Sequence, residues 1–326
     1  MSDSVPSLSV EEAAAMLARM KGEIANVVIG QQSVVEQVLT ALVAGGHVLL
    51  EGVPGLGKTL LARSLAKTLS GDFSRIQFTP DLMPSDITGH VVFEMHRETF
   101  TVHRGPVFAH LLLADEINRA PAKTQAALLE VMQERQVSIE GEPHDVPNPF
   151  ITIATQNPVE QEGTYPLPEA QIDRFLFKVL IEYPTIEEEQ SLVTSVTAGE
   201  VGDVLDVSGV RPVVSPEQVL AIQATATQLR IDDSVRNYCV DLARTSRAFP
   251  GIRLGAGPRG SIALVRAARG IALLEGRDYV TPDDVRMIAP PVLRHRITLE
   301  PELDLEGRTA DQVLDGLLNS VDAPRV

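Results

Sequence analysis

Lys58 and Thr59 close the octapeptide Gly52-Val53-Pro54-Gly55-Leu56-Gly57-Lys58-Thr59, which fits the pattern Gly-x4-Gly-Lys-Thr. Such a run leaves backbone N–H groups free to curl around phosphate oxygens. Its lysine reaches the β- and γ-phosphates and its threonine hydroxyl ligates Mg2+. Two carboxylates, Asp115 and Glu116, end the apolar run His110-Leu111-Leu112-Leu113-Ala114. At the carboxyl end of a parallel strand both would lie beside the phosphate loop. Asp115 would hold Mg2+ directly or through water, and Glu116 would polarise an attacking water. Asn157, in Thr155-Gln156-Asn157-Pro158, follows a second apolar run. It belongs either between the γ-phosphate and that water or to an Asn-Pro turn. Arg174 stands among helical residues in Leu167-Pro168-Glu169-Ala170-Gln171-Ile172-Asp173-Arg174-Phe175, where a surface ion pair with Asp173 or Glu169 competes with a role toward phosphate. Arg259, in Leu254-Gly255-Ala256-Gly257-Pro258-Arg259-Gly260-Ser261, opens a helix. A cation there opposes the macrodipole unless an anion is close, which favours a nucleotide phosphate over chance placement.

These residues need strands and helices to hold them. His47 to Glu51 is a strand-length apolar run before the loop, and Leu60 to Lys67 has apolar residues at helical spacing after it. Val48 to Glu51, Ser74 to Phe78, Leu111 to Asp115 and Ile151 to Ala154 read as strands alternating with helices, which implies a parallel sheet covered by helices on both faces. Val91 to Val102 and Gln136 to Val146 each read as a hairpin inserted into that alternation, the second turning at Glu140-Gly141-Glu142. A helix from Val10 to Val28 and another from Gln31 through Ala44 precede the loop. Ser215-Pro216-Glu217-Gln218 and Thr281-Pro282-Asp283-Asp284 signal helix starts further on.

The organisation expected is an N-terminal helical segment over 1–30, an α/β nucleotide-binding core over 31–184, and a connecting helix and linker over 185–214. A small all-α lid over 215–300 and a C-terminal tail over 301–326 follow. Composition bounds the function. A net charge of −16 opposes a nucleic-acid surface, which needs clustered Lys and Arg. The lone cysteine, Cys239, sits in an apolar setting and offers neither a disulfide framework nor zinc spacing. No segment has the apolar length of a membrane span, and Met1 to Pro6 lacks a signal pattern, so the cytoplasm is the expected location.

The phosphate loop, the Asp-Glu strand end, the Ala-Thr-Gln-Asn-Pro turn, Asp-Arg-Phe and Gly-Pro-Arg occur in an order that resembles an AAA+ ATPase. Ala114-Asp115-Glu116-Ile117-Asn118-Arg119-Ala120-Pro121, Leu128-Leu129-Glu130-Val131-Met132-Gln133-Glu134 and Asp173-Arg174-Phe175 resemble the MoxR family in particular. The two hairpins are similar to its helix-2 and pre-sensor-1 inserts. The resemblance implies an AAA+ P-loop core with two β-hairpin inserts and a helical lid, binding ATP and Mg2+. It implies nucleotide contacts from Gly52 through Thr59 and Leu60, with Ile29, Gly30 and Gln31 near adenine. Thr59 and Asp115 become metal ligands, Glu116 the activating base and Asn157 sensor 1. Arg259 becomes sensor 2, reporting from the lid, and Arg174 an arginine finger acting on the neighbouring subunit's nucleotide. A homo-oligomeric ring, a hexamer, follows from that finger. The resemblance also implies chaperone-like remodelling of a client enzyme complex by movement of the lid against the core, with a partner carrying a von Willebrand factor A domain.

Three other functions compete. A metal-chelatase motor subunit shares the insert class. A DNA-remodelling motor is opposed by the charge, although Arg97, His96, His103 and Arg104 lend the first hairpin some positive character against Glu94 and Glu98. A nucleotide-gated binding module with negligible turnover is opposed by Glu116 and Arg174.

Overall fold

Ser9 N–H donates to Glu12 Oε2 at 2.9 Å and Glu12 N–H donates back to Ser9 Oγ at 3.1 Å, and this capping box starts α1 (Val10–Ala25). Ala13, Leu17, Met20 and Ile24 give α1 one buried stripe; the helix ends three residues short of the expected Val28. In the computed structural model, residues 8–96, 98–158, 163–197 and 207–325 are described. Met1 to Pro6, Arg97 and positions 198–206 of the expected linker lie outside them.

After α2 (Gln32–Val43), the chain runs through β1 (Val48–Glu51), α3 (Lys58–Thr68), β2 (Phe73–Gln77) and α4 (Pro84–Thr88). A hairpin of β3 (Gly89–Glu94) and β4 (Thr99–Arg104) precedes β5 (Leu111–Asp115) and α5 (Ala122–Glu134). A second hairpin, β6 (Gln136–Ile139) and β7 (Glu142–Asp145), turns through Glu140 and Gly141 at φ 50° and 87°, the pair of positive φ values that a two-residue turn needs. Then come β8 (Ile151–Gln156), α6 (Glu169–Ile172) and β9 (Phe177–Leu180). The five strands β2-β5-β8-β1-β9 form one sheet in that order, every neighbouring pair parallel. Four of them match the expected strands. The fifth, β9, was not anticipated, because Lys178 interrupts its apolar run directly after a helical turn.

The rest is helical: α7 (Ile186–Thr197), α8 (Pro216–Gln228) and α9 (Asp233–Thr245), then, after β10 (Ile252–Leu254), α10 (Pro258–Leu274) and α11 (Pro282–Leu293). A further short strand β11 (Thr298–Leu299) precedes α12 (Pro301–Leu305) and α13 (Ala310–Ser320). Both anticipated capping signals form, Ser215 with Gln218 and Thr281 with Asp284. The lid is not purely helical, since β10 and β11 pair antiparallel. Among the described residues no helix is long and apolar enough to cross a membrane.

Alternation along the strands divides the interior in two. Val48, Leu50, Leu111, Leu113, Ile151 and Ile153 face one core, while Leu49, Leu112, Ala114 and Ala154 face the other. The second core is closed by α5 and the hairpin residues Val137 and Ile139. The first is continuous with α1, α2 and the lid helices α8 to α11 and α13, so the lid shares one apolar interior with a face of the sheet.

His47 sits at the start of β1 as a structural strut. Its Nδ1 accepts from Thr152 N–H at 2.9 Å and its Nε2 lies 3.1 Å from Met132 O, an arrangement met by a neutral ring protonated at Nε2. Burial, reinforced by Arg135 and Arg266 and resisted by the Met132 bond, pushes its pKa down to about 4. His295 is lowered as well, first by burial and then by Arg296. The unfolded chain therefore takes up these protons first as pH falls below about 6.5. The stability from neutral His47 is complete above that pH and is lost on the way down to about 4, on the order of 3 kcal/mol. The thermal midpoint should drop across this window. His47→Gln, which keeps a donor and an acceptor but no titrating ring, should start lower at pH 7 and lose less. Parallel pH curves for the two proteins would exclude His47 as a source of the acid sensitivity.

Candidate active site

The phosphate loop spans the gap between β1 and α3. Gly55 and Gly57 adopt φ 87° and 76°, conformations that L side chains rarely enter, and Gly57 caps α3. Among the described residues, apart from its chain neighbours, nothing lies within 4 Å of where a Cβ would stand at either position, so conformation rather than space demands glycine. Leu56 and Leu60 pack on the core and anchor the C-terminal half of the loop. Lys58 Nζ donates to Gly52 O at 2.6 Å and Gln156 O at 3.3 Å, so the ammonium spans the carboxyl ends of β1 and β8.

Pairing of β2 with β5 sets Gln77 opposite Asp115. Asp115 is nearly buried. Its Oδ1 accepts from Thr155 Oγ1 at 2.6 Å, and its Oδ2 lies 3.4 Å from Thr59 Oγ1 and accepts from Arg75 Nη2 at 2.7 Å. Two hard oxygens at that spacing suit neighbouring positions around Mg2+, whose bonds run about 2.0–2.1 Å. The hold that Arg75 has on Oδ2 shows that this carboxylate draws a cation. Glu116 adopts a left-handed φ of 56°, strained for a residue with a Cβ. Its N–H donates to Thr155 Oγ1 at 2.9 Å, and its Oε2 receives Gln77 Nε2 at 2.6 Å and Arg119 Nε at 3.1 Å.

Because β8 lies between β5 and β1, Asn157 emerges between the Asp115 strand end and the phosphate loop, nearly buried at 5 % exposure. Ile29, Gly30 and Gln31 arrive from the side. Gln31 Nε2 donates to Glu182 O at 3.2 Å, next to Ile181, whose N–H bonds Glu51 O at 2.8 Å at the base of the loop. Glu188 of α7 closes over Gly30, its carboxyl carbon 3.0 Å from where a Cβ would stand. The loop, the two carboxylates, Asn157 and the 29–31 turn thus gather at one edge of the sheet.

Arg174 and Arg259 gather at the other. Both line a cavity of about 260 Å³ with Arg135, Arg266, Arg296 and Asp173, floored by Gly45, Gly46 and His47. Those last three precede β1, whereas the phosphate loop follows it, so the length of β1, about 13 Å, separates the two sites. Arg174 lies in the turn after α6, not within a helix. Its side chain has no hydrogen bond or ion pair among the described residues, because both expected partners are engaged elsewhere. Asp173 accepts from Arg296 Nε at 2.9 Å and lies 3.5 Å from Arg259 Nη1, and Glu169 accepts from Thr298 Oγ1 at 2.8 Å. Arg296 also donates to Phe175 O at 2.7 Å and Leu176 O at 3.1 Å, tying the end of the lid to the turn that carries Arg174. The ion pair with Asp173 holds Arg259 at this cavity, across the length of β1 from the phosphate loop of its own chain.

Sequence reasoning passed over Arg75, Gln77, Thr155, Arg135, Arg266 and Arg296. Arg75 and Gln77 carried a signal, since two polar residues two apart on a strand share a face. The arginines of the cavity come from distant segments, and only the tertiary fold gathers them.

Comparison with known proteins agrees with this geometry. Residues 47–177 match the ATPase family associated with various cellular activities (AAA), and residues 244–317 match the AAA lid domain. The chain is 44 % identical to Chaperone MoxR1 of Mycobacterium tuberculosis, covering 93 % of this chain and 81 % of that protein. It is 34 % identical to Protein MoxR of Methylorubrum extorquens over 94 % of this chain and 95 % of the relative. A crystal structure of a candidate ATPase from Cytophaga hutchinsonii superposes with a TM-score of 0.88 at 41 % identity, covering 97 % of both chains. Fold and relatives agree: the chain belongs to the MoxR family of AAA+ ATPases.

Proposed function

We propose that this chain binds ATP with Mg2+ and hydrolyses it at a site completed by a second copy of itself in a hexameric ring. The ring would remodel or mature a client protein complex together with a partner carrying a von Willebrand factor A domain. One observation carries the reading: the cations suited to a γ-phosphate, Arg174 and Arg259, lie at the opposite edge of the sheet from Lys58 and Glu116. A single copy cannot bring them together. Head-to-tail contact between two copies can, and repetition of that contact closes a ring. The arginine cavity also lies in a chain of net charge −16, so its positive field favours a phosphate supplied from outside its own subunit.

In the assembled site, Lys58 exchanges the carbonyls of Gly52 and Gln156 for the β- and γ-phosphates. Thr59 and Asp115 would hold Mg2+, which would supply positive charge to offset that of the phosphates. Glu116 first leaves Gln77 and Arg119. It then takes a proton from a water positioned by Asn157, while the water oxygen bonds to the γ-phosphorus. The bond from that phosphorus to the β–γ bridging oxygen breaks, giving ADP and inorganic phosphate. Arg174 and Arg259 of a neighbouring copy stabilise the charge on the transferring group. The first hairpin supports client handling, because Phe93, Phe100 and Met95 are 47 %, 76 % and 84 % exposed, an apolar tip that water does not favour.

Lys58→Ala should abolish ATP binding. Glu116→Gln should keep binding and lower turnover by about 10²–10⁴-fold, and near-normal turnover in that variant would exclude Glu116 as the base. Arg174→Ala and Arg259→Ala should each bind ATP yet hydrolyse it poorly, the former by about 10³-fold. Mixing either arginine variant with Lys58→Ala should restore activity, because intact loops then meet intact arginines across subunit seams. Failure of every mixture, with mixed rings verified by mass, would mean that the arginines act within their own chain.

A further inference from the structure

Asp115 Oδ2 has two cationic claimants. It is the oxygen that faces Thr59 Oγ1, and it is also the oxygen held by Arg75, through Nη2 at 2.7 Å and Nε at 3.3 Å. The two partners differ in their access to water: the Arg75 side chain is 49 % exposed and that of Asp115 only 11 %. Arg75 comes from β2, the edge strand of the sheet, and can swing into solvent at little desolvation cost. Asp115 cannot follow it, being fixed by Thr155 through Oδ1. A divalent ion beside Thr59 and Asp115 would meet the guanidinium at close range in a half-buried setting, where like charges repel strongly.

We propose that Arg75 is the resident counter-ion of the metal carboxylate. It neutralises Asp115 while no divalent ion is held, competes with that ion for Oδ2, and swings out when nucleotide brings the ion in. The inference rests on the reading of Asp115 as a metal ligand. Arg75 also donates from Nη2 to Gln77 Oε1 at 3.2 Å, and the other end of the Gln77 amide donates to Glu116. Departure of Arg75 thus removes a contact that orients Gln77 and loosens its hold on Glu116 when the metal is in place. Arg75 touches neither water nor phosphate in this scheme; it is a positioning residue that acts through Asp115 and Gln77.

The test reads metal affinity rather than turnover: free Mn2+ followed by electron paramagnetic resonance in a titration of ADP-loaded protein. Arg75→Gln, which removes the charge and keeps an amide donor, should tighten Mn2+ by about 3- to 5-fold, the upper range for a partly exposed ion pair. Arg75→Lys, which keeps the charge, should stay within about twofold of the wild type. Ser74→Ala alters the same edge strand at a side chain that takes no part in the contacts among Arg75, Asp115 and Gln77, and it should leave the affinity near wild type. Unchanged or weaker Mn2+ binding in Arg75→Gln overturns the inference, and so does equal tightening in Ser74→Ala, which would point to a loosened strand. Asp115→Asn distinguishes the two levels of the argument. It should lose Mn2+ binding, and if it does not, Asp115 is no metal ligand and the underlying assignment falls whatever Arg75 does.

Discussion

The pairing of β1 with β8 on one side and β9 on the other is the constraint on which both ends of the molecule depend. Register with β8 sets Glu51 opposite Gln156, which brings the strand ahead of Asn157 against the phosphate loop. Register with β9 sets Val48 opposite Phe177, which brings the turn bearing Arg174 against Gly46 and His47. Parallel strands have all their carboxyl ends at one edge and all their amino ends at the other. The same hydrogen bonds that assemble lysine and carboxylates at one edge therefore hold the arginines away from them.

Charge follows the same division. At the carboxyl edge, Asp115 and Glu116 are surrounded by Arg75, Gln77, Arg119 and two contacts to Thr155, so each carboxylate is satisfied before any ligand arrives. At the amino edge, five arginines share the cavity with one carboxylate, Asp173. Arg296 and Arg259 occupy that acid, and Arg266 bonds the carbonyls of Ala44 and Gly45. Arg174 and Arg135 are left facing the cavity. One edge is charge-balanced and the other carries surplus positive charge, the kind of asymmetry that directs unlike faces toward each other.

Much of this was legible in the sequence where chemistry and local structure coincide. The glycine loop, the Asp-Glu strand end, the capping boxes at Ser215 and Thr281 and the turn at Glu140-Gly141 each depend on neighbours within a few residues, and each formed as read. What was not legible depends on contacts distant in sequence. Strand β9 is a strand because β1 offers it an edge, and its own four residues carry little signal. The side on which Arg259 lies is decided by Arg296 binding Asp173, a contact across 123 positions. Arg75 and Gln77 share a strand face in the sequence, but only the register of β2 with β5 brings Arg75 to Asp115.

The continuity of the first core through α1, α2 and the lid bears on how such a subunit can move. Interdomain hinges open readily where the surfaces between domains are small and polar. Here Thr40 and Leu39 of α2, Leu17 and Met20 of α1 and Ala267 and Ile271 of α10 are buried in one interior shared by lid and sheet. Swinging the lid as a flap would expose apolar surface at every cycle. A lid joined to the sheet in this way is built to move with it as one stiff body rather than to hinge at its own base.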